Sequence, residues 1–294
     1  MSLSKLTTII IVTINGKVSF TMINKLQKSY KIIIVENNND SNFKKKILSK
    51  FKNISVLLPK KNLGFAGGNN MALKKVKTPF VLLLNPDVKI SIKNIKNLEL
   101  YSRKFNNFSI LAPNSNHFIE TINTNLDKGI RFQTYKKDKG KITEIPWVPG
   151  WCMYCRMSDI KKVNFFDERY FLYFEEADLC KRLKKKNKKF FLINENKIFH
   201  QFQGLSKNLS NDDSINHLRL RLWHYHWSSF YYHKKHYGYL KSFLLHISKF
   251  LRFSVLKYSY MLVGNTRSYK VSKAKADGLF HQILNKDSSF RIDL

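Results

Sequence analysis

Val81-Leu82-Leu83-Leu84-Asn85-Pro86-Asp87 is the stretch from which the fold can be read. Four apolar residues in an unbroken run describe a strand buried on both faces, as in a parallel sheet. Pro86 has no amide hydrogen to give to a ladder, so the strand must stop near Asn85. Asp87 then stands just past the strand's carboxyl end, the edge at which open α/β sheets bind ligands. Upstream, residues 6–14, 31–35 and 54–58 are apolar, β-branched strands. Between them lie Val18, Met22, Ile23 and Leu26 at helical spacing and a basic helix over 43–51. Residues 61–70 read as a Gly-rich loop leading into a helix over 71–76. Strand and helix alternate, which predicts an α/β fold with a mostly parallel central sheet and helices on both faces.

Downstream, residues 92–105 read as a helix and 109–112 as a strand. Residues 114–141 are polar and irregular, in the manner of a hairpin or flap. Residues 142–148 read as a strand closed by Pro149-Gly150, 175–186 as a helix, and 189–193 as a last strand with His200 in the loop after it. A polar stretch over 203–211 marks a soft boundary. It divides residues 1–205 from a basic, aromatic, helical extension over 206–294. In that extension Leu244, Ile247, Leu251, Val255, Tyr258 and Leu262 share one helical face, with His246, Lys249, Arg252 and Lys257 towards the other. Such a helix either lies in a membrane interface or packs as core with a solvated face.

The chain has 294 residues, 43% of them hydrophobic, enough for a real core. Lys+Arg is 53 against Asp+Glu 20, a formal net charge of +33. That balance fits an anionic partner, or a solvated surface in a chain rich in Lys throughout. No nucleic-acid-binding motif accompanies it, and the charge is spread along the chain, so no nucleic-acid partner is expected. Of three cysteines, Cys152 and Cys155 form a lone C-x-x-C without the second ligand pair that a zinc site needs. Few cysteines and no signal peptide predict a cytoplasmic protein. No run of about 18 apolar residues is present, so no spanning helix is expected.

Four groups have chemistry in them. Asp87 is placed to hold a hard divalent cation, or is a turn residue after Asn85-Pro86. The glycines of Asn62-Leu63-Gly64-Phe65-Ala66-Gly67-Gly68-Asn69-Asn70 let backbone amides approach a phosphate, or serve close helix packing. Glu175, Glu176 and Asp178 are three carboxylates in four positions amid aromatics, suited to general-base work or to the first turn of a helix. His200 is either a ligand or a structural histidine.

Taken in order, Ile9 to Asn15, Val35-Glu36-Asn37, the Asn62 to Asn70 segment, Leu84-Asn85-Pro86-Asp87 and Asp167-Glu168 through Phe174-Glu175-Glu176-Ala177-Asp178-Leu179 resemble glycosyltransferase family 2. The resemblance is nearest to the rhamnosyltransferase-like enzymes of surface-polysaccharide assembly and covers about residues 6–205. It implies a GT-A fold and an inverting, metal-dependent transfer from a nucleoside-diphosphate sugar, UDP- or dTDP-linked. On the matching positions, Asp87 is the metal-binding end of a D-x-D-like motif, Glu176 the catalytic base and His200 a second ligand for Mn²⁺ or Mg²⁺. Thr13, Asn15 and Glu36 line the nucleotide pocket, and Asn62, Gly67 and Asn70 the diphosphate-sugar side. Glu36 stands where the family usually has Asp, Ile14 where it often has Tyr, and Asn85 where D-x-D begins with Asp. Trp147, Trp151 and Glu175 are candidates for the acceptor side, the tryptophans by stacking on a sugar or, alternatively, as core. A glycan or polyprenyl-diphosphate-linked acceptor and peripheral docking on the anionic inner leaflet complete the expectation. Rival readings are a basic nucleic-acid-binding protein and a catalytically inactive family member acting as an assembly scaffold.

Overall fold

The computed structural model describes residues 3–116, 140–201 and 211–292. Most of the irregular stretch 114–141 lies outside the described residues. The chain forms two compact units, Met1–Glu168 with Glu176–Gly204, and Arg169–Glu175 with Leu205–Leu294. The aromatic segment before Glu176 thus packs with the C-terminal unit.

The first unit runs β1 (Thr7–Thr13), α1 (Phe20–Leu26), β2 (Lys31–Glu36), α2 (Ser41–Lys50), β3 (Ile54–Leu57), α3 (Gly64–Leu73), β4 (Phe80–Leu84), β5 (Val88–Lys89) and α4 (Ile92–Lys104). It continues with β6 (Ile110–Ser115), β7 (Ile142–Ile145), β8 (Cys152–Arg156), α5 (Met157–Lys162), α6 (Glu175–Lys184) and β9 (Phe190–His200). Among the described residues the sheet order is β3-β2-β1-β4-β8-β6-β9-β5, with β7 on β9. β1, β2, β3 and β4 are parallel, and every residue of β4 is buried, as its apolar run requires. β8 enters antiparallel between β4 and β6, so the sheet is mixed rather than mostly parallel. Asp40 caps α2 by accepting from the amides of Asn42 and Phe43, and Ser91 with Asn94 closes a capping box on α4.

Two local expectations are corrected. The Gly-rich segment is not a loop down to Asn70, because α3 begins at Gly64. A Cβ on Gly67 would meet the Leu63 Cβ at 2.9 Å, and one on Gly68 would meet a Val12 methyl at 2.8 Å. Gly68 serves close packing of α3 on β1 and Gly67 the tight entry of the chain at Leu63, which overrides their low helix propensity. His200 is not in a loop either: it is the last residue of β9 and pairs with Val88 of β5. The C-x-x-C lies in β8, where Cys152 and Cys155 are buried and burial pushes both thiols up, away from the reactive thiolate.

The second unit holds α7 (Asn211–Tyr237), α8 (Tyr239–Leu262) and α9 (Thr266–Ile283). Its core is aromatic, with Trp223, Trp227 and Phe230 of α7 buried. α9 crosses α7 at Gly278, where an added Cβ would stand 2.4 Å from the Trp223 carbonyl oxygen. The obstacle is backbone, which cannot swing aside. Gly278→Ala is therefore expected to destabilise the protein by about 1–3 kcal/mol through overpacking, read as a lowered denaturant midpoint.

Histidines sit inside this unit as neutral rings. His246 directs Nδ1 at the Ser242 carbonyl, 2.8 Å, and Nε2 at the Ser229 hydroxyl, 3.0 Å. The carbonyl only accepts, so Nδ1 carries the proton and Nε2 accepts from Ser229. Burial lowers His246 to about 4, and His224 and His226 to about 3. The unfolded chain takes up these protons near the ordinary value of about 6.5. Stability contributed by the neutral rings is full above about 6.5 and falls as the pH drops below it. Urea titrations between pH 7.5 and 4.5 should show a falling midpoint, and replacing His226 by Phe should flatten that slope.

Candidate active site

The site is built where β4 and β9 end. Pro86 stops β4, and the Val88 amide donates to the Asn85 carbonyl at 3.2 Å, closing a turn with proline in its favoured second place. The chain then makes the short β5, antiparallel to the end of β9, with Val88 opposite His200 and the Gln201 amide donating to the Asp87 carbonyl at 3.0 Å. Asn116 brackets His200 from the other side: its Oδ1 accepts from the His200 amide at 3.0 Å and its Nδ2 donates to the His200 carbonyl at 3.4 Å. The result is that His200 Nε2 stands 3.3 Å from Asp87 Oδ2. Asp87 Oδ1 is buried without a hydrogen-bond partner among the described residues.

A carboxylate oxygen left without a donor beside an imidazole nitrogen is a donor set that suits Mn²⁺ better than Mg²⁺, which prefers an all-oxygen shell. No group of three or more His, Cys, Asp or Glu able to hold a metal occurs among the described residues. Asp87 and His200 would therefore be two ligands of an open site. Substrate oxygens and water would supply the rest, as is usual where a hard cation meets a diphosphate.

The acid side is set by α6. Asp178 is fully buried and receives Arg182 Nε at 2.7 Å, while the same guanidinium donates to the carbonyls of Val163 and Phe165. Asn70 of α3 holds the same turn, donating to the Phe166 carbonyl and Glu168 Oε1, each at 2.9 Å, and accepting from the Phe166 amide at 3.0 Å. Glu175 is buried, whereas Glu176 is half-buried. Its carboxyl carbon lies 3.7 Å from where a Cβ on Gly150 would be. The next residue, Trp151, accepts from the Asn85 amide through its carbonyl at 2.9 Å and packs its ring on His200 with centroids 4.9 Å apart. Gly150-Trp151 thus has Glu176 on one side and the Asp87–His200 pair on the other. Sequence reasoning missed this link, because it depends on β8.

The nucleotide-side candidates gather at the ends of β1 and β2. The Glu36 carboxylate, wholly buried, accepts from the amides of Asn15 at 3.1 Å, Gly16 at 2.9 Å and Asn38 at 2.9 Å. Burial raises its pKa and the three amide bonds oppose that rise. Asn15 and Gly16 both take positive φ, so the turn needs this anchor. Thr13 donates to the Lys17 carbonyl at 2.9 Å, and Asn15 accepts from the Asn38 side chain. Asn37, not singled out in the sequence, joins this cluster to α3 by donating to the Gly64 carbonyl at 3.0 Å. Asn62 Oδ1 accepts from the Gly64 amide at 2.9 Å, and Gly67 is packed against Leu63. Trp147 and Trp151 are both buried in the hydrophobic core, which is the core-packing alternative for these two residues.

Glycosyl transferase family 2 matches residues 8–163, more than half of the chain. The chain belongs to that family. The matched span contains the Glu36 cluster and Asp87 and ends before Glu176 and His200. Among curated relatives, the chain is 28% identical over 186 residues to the rhamnosyltransferase WbbL of Escherichia coli, covering 55% of this chain and 69% of that protein. It is 27% identical over 139 residues to Agl10 of Haloferax volcanii, a low-salt glycan biosynthesis hexosyltransferase, covering 43% of this chain and 45% of that protein. Of solved structures, the mannosyltransferase PcManGT of Pyrobaculum calidifontis, in complex with GDP-Man and Mn²⁺, superposes with a TM-score of 0.53 at 8% identity. That match covers 95% of this chain and 87% of the other, and the shared fold is GT-A.

Because Glu36 accepts three amide bonds, its amide analogue would turn a donor towards donors. Glu36→Gln should lower stability by about 1–3 kcal/mol, measured by chemical denaturation. The Asn15 and Gly16 amides should also lose protection from hydrogen exchange.

Proposed function

We propose that this family 2 glycosyltransferase moves a hexosyl or deoxyhexosyl group, rhamnose among the candidates, from a UDP- or dTDP-linked donor to a hydroxyl of a glycan or polyprenyl-diphosphate-linked acceptor. The transfer inverts the anomeric centre and serves cell-surface polysaccharide synthesis at the inner face of the plasma membrane. The observation that carries this reading is the convergence of Asp87 and His200 at 3.3 Å, with Gly150-Trp151 joining that pair to Glu176. The activities named for the Escherichia coli and Haloferax relatives support the reaction class, and the Mn²⁺ and nucleotide sugar of the Pyrobaculum structure support the donor and the metal.

The residues divide the work as follows. Asn15 lies at the base and ribose end of the donor, on a turn that the buried Thr13 and Glu36 side chains hold in place. Asn62, Gly67 and the start of α3 face its diphosphate-sugar side, where a helix amino end favours negative charge. Asp87 and His200 would hold the divalent cation, which supplies positive charge against the diphosphate. Glu176 accepts the proton of the acceptor hydroxyl. The freed oxygen bonds to the anomeric carbon while the bond from that carbon to the diphosphate oxygen breaks, and the electron pair leaves with the diphosphate. One carboxylate base with no carboxylate nucleophile gives a single displacement and so inversion.

The test is donor hydrolysis and transfer with the full chain, over UDP-, dTDP- and GDP-sugars with Mn²⁺ or Mg²⁺. Glu176→Gln should cut turnover by about 10²–10⁴-fold while donor-induced thermal stabilisation persists. Asp87→Asn and His200→Ala should instead abolish the metal-dependent part of that stabilisation. Near-normal transfer by Glu176→Gln would remove Glu176 from the role of base.

A further inference from the structure

The helix α8 is turned with its apolar side outward. Leu240, Leu244, Leu251, Val255, Tyr258 and Leu262 recur at helical spacing on one face and are between 55% and 83% exposed. Its two buried residues, Ser242 and His246, are polar, with Phe250 on Phe280 and Phe253 on His226 beside them. Ser242 is fully buried and donates to the Phe230 carbonyl at 2.8 Å, and His246, 1% exposed, holds Ser229. This reverses the inward orientation expected of an amphipathic helix in a soluble core. Single exposed leucines are ordinary, but a continuous six-residue stripe marks an interaction surface.

The charge around the stripe identifies the partner. Residues 239–276 contain eight Lys or Arg and no Asp or Glu. Lys241 and Arg252 are exposed on the turns that carry Leu244, Leu251 and Val255. A protein partner would bring acidic groups at set positions, and the chain would be expected to answer with some polar variety. A border whose charged residues are all cationic, round a mostly aliphatic stripe, instead matches a surface that is apolar inside and anionic outside. No helix among the described residues is long and apolar enough to cross a membrane.

We infer that α8 is an in-plane membrane anchor whose Leu244–Leu251–Val255 face enters an anionic lipid bilayer. The helix lies along the surface, its aliphatic face about 5–10 Å into the headgroup boundary. Lys241 and Arg252 remain at headgroup level, where their stems reach along the apolar surface and their charges meet lipid phosphates. The inference deepens the transferase reading and rests on it for the lipid-linked acceptor, but its own evidence is the exposed face.

The test is flotation of the full chain with vesicles of phosphatidylcholine alone or with one third phosphatidylglycerol. Binding is expected to the anionic vesicles, at least tenfold weaker without phosphatidylglycerol, and tenfold weaker again for Leu244→Asn/Leu251→Asn/Val255→Asn. A nitroxide on Leu251→Cys gives a second reading that leaves most of the stripe intact, since the three native cysteines are buried. That label should become accessible to oxygen and shielded from a water-soluble nickel chelate when anionic vesicles are added. Equal flotation of the triple variant, a label that stays in water, or a concentration-dependent dimer closed by this face would overturn the inference. Donor hydrolysis in detergent-free buffer is measured alongside. Its absence in the wild type would count against the transferase reading alone, and its persistence in the triple variant separates anchoring from chemistry.

Discussion

The meeting of Asp87 and His200 depends on a two-residue ladder. Val88 opposite His200 and Lys89 opposite Phe199 join the segment after β4 to the end of β9. A strand as short as β5 has little stability of its own. Its geometry is imposed from around it: the turn at Asn85, the Gln201 amide on the Asp87 carbonyl, and the Asn116 side chain on both backbone groups of His200. Five backbone positions are thereby fixed so that two side chains, remote in sequence, present a carboxylate oxygen and an imidazole nitrogen to the same point. For the cation site proposed above, this rigidity would serve binding, since metal-site geometry tolerates little error.

Behind this ladder stands a layer of close approaches that leave few degrees of freedom. Gly68 allows α3 to lie on β1, Gly67 makes room for Leu63, and Asn37 and Asn62 pin the first turn of that helix. Glu36 gathers three amides of two neighbouring loops. On the other side of the site, Asn70 and Arg182 both grip the turn over 163–168, from α3 and α6 respectively. Asp178 is the buried anion that orients Arg182, and breaking such a pair leaves an uncompensated charge. Glu176 is therefore presented by a helix whose Asp178 is occupied with structure and whose Glu175 is buried. Just before that helix, Tyr173 and Phe174 both adopt positive φ, a costly conformation for aromatic residues, held by the packing of Phe174 on Tyr225 and Tyr232.

What the sequence could and could not reveal follows from where the information is local. β1, β2 and β4 are legible because burial on both faces demands continuous apolar residues. β8, Cys-Met-Tyr-Cys-Arg, has no β-branched residue, and only its place between β4 and β6 makes it a strand. The second half of β9 was hidden by Asn194, Glu195 and Asn196. The ladder with β6 shifts register there, from Pro113 opposite Ile193 to Asn114 opposite Lys197, so a polar bulge interrupts the pattern and the strand resumes towards His200. Glycine pairs argued for a loop at 67–68 because propensity is local, while the demand for a close helix–strand contact is not. In the site, the types and order of Asp87, Glu176 and His200 were visible. The Gly150-Trp151 link was not, since it exists only once β8 is placed.

The second unit poses the opposite question, why a helix rich in leucine does not bury it. Rotating α8 to put Leu244, Leu251 and Val255 inward would gain about 1.5–3 kcal/mol for each side chain buried. The observed rotation forgoes that gain and instead satisfies Ser229, Ser242 and His246 with one another and with the carbonyls of α7 and α8. Turning the helix would strand those groups, and unpaired buried polar atoms cost about 1–3 kcal/mol each. The buried Ser242 and His246, with Phe250 and Phe253 packed on Phe280 and His226, thus lock the helix in the orientation that leaves its aliphatic face to the exterior. In water alone that choice is a net loss on the outer face. It becomes a gain only beside a second apolar phase, and the absence of any acidic side chain from 239 to 276 leaves an anionic one unopposed.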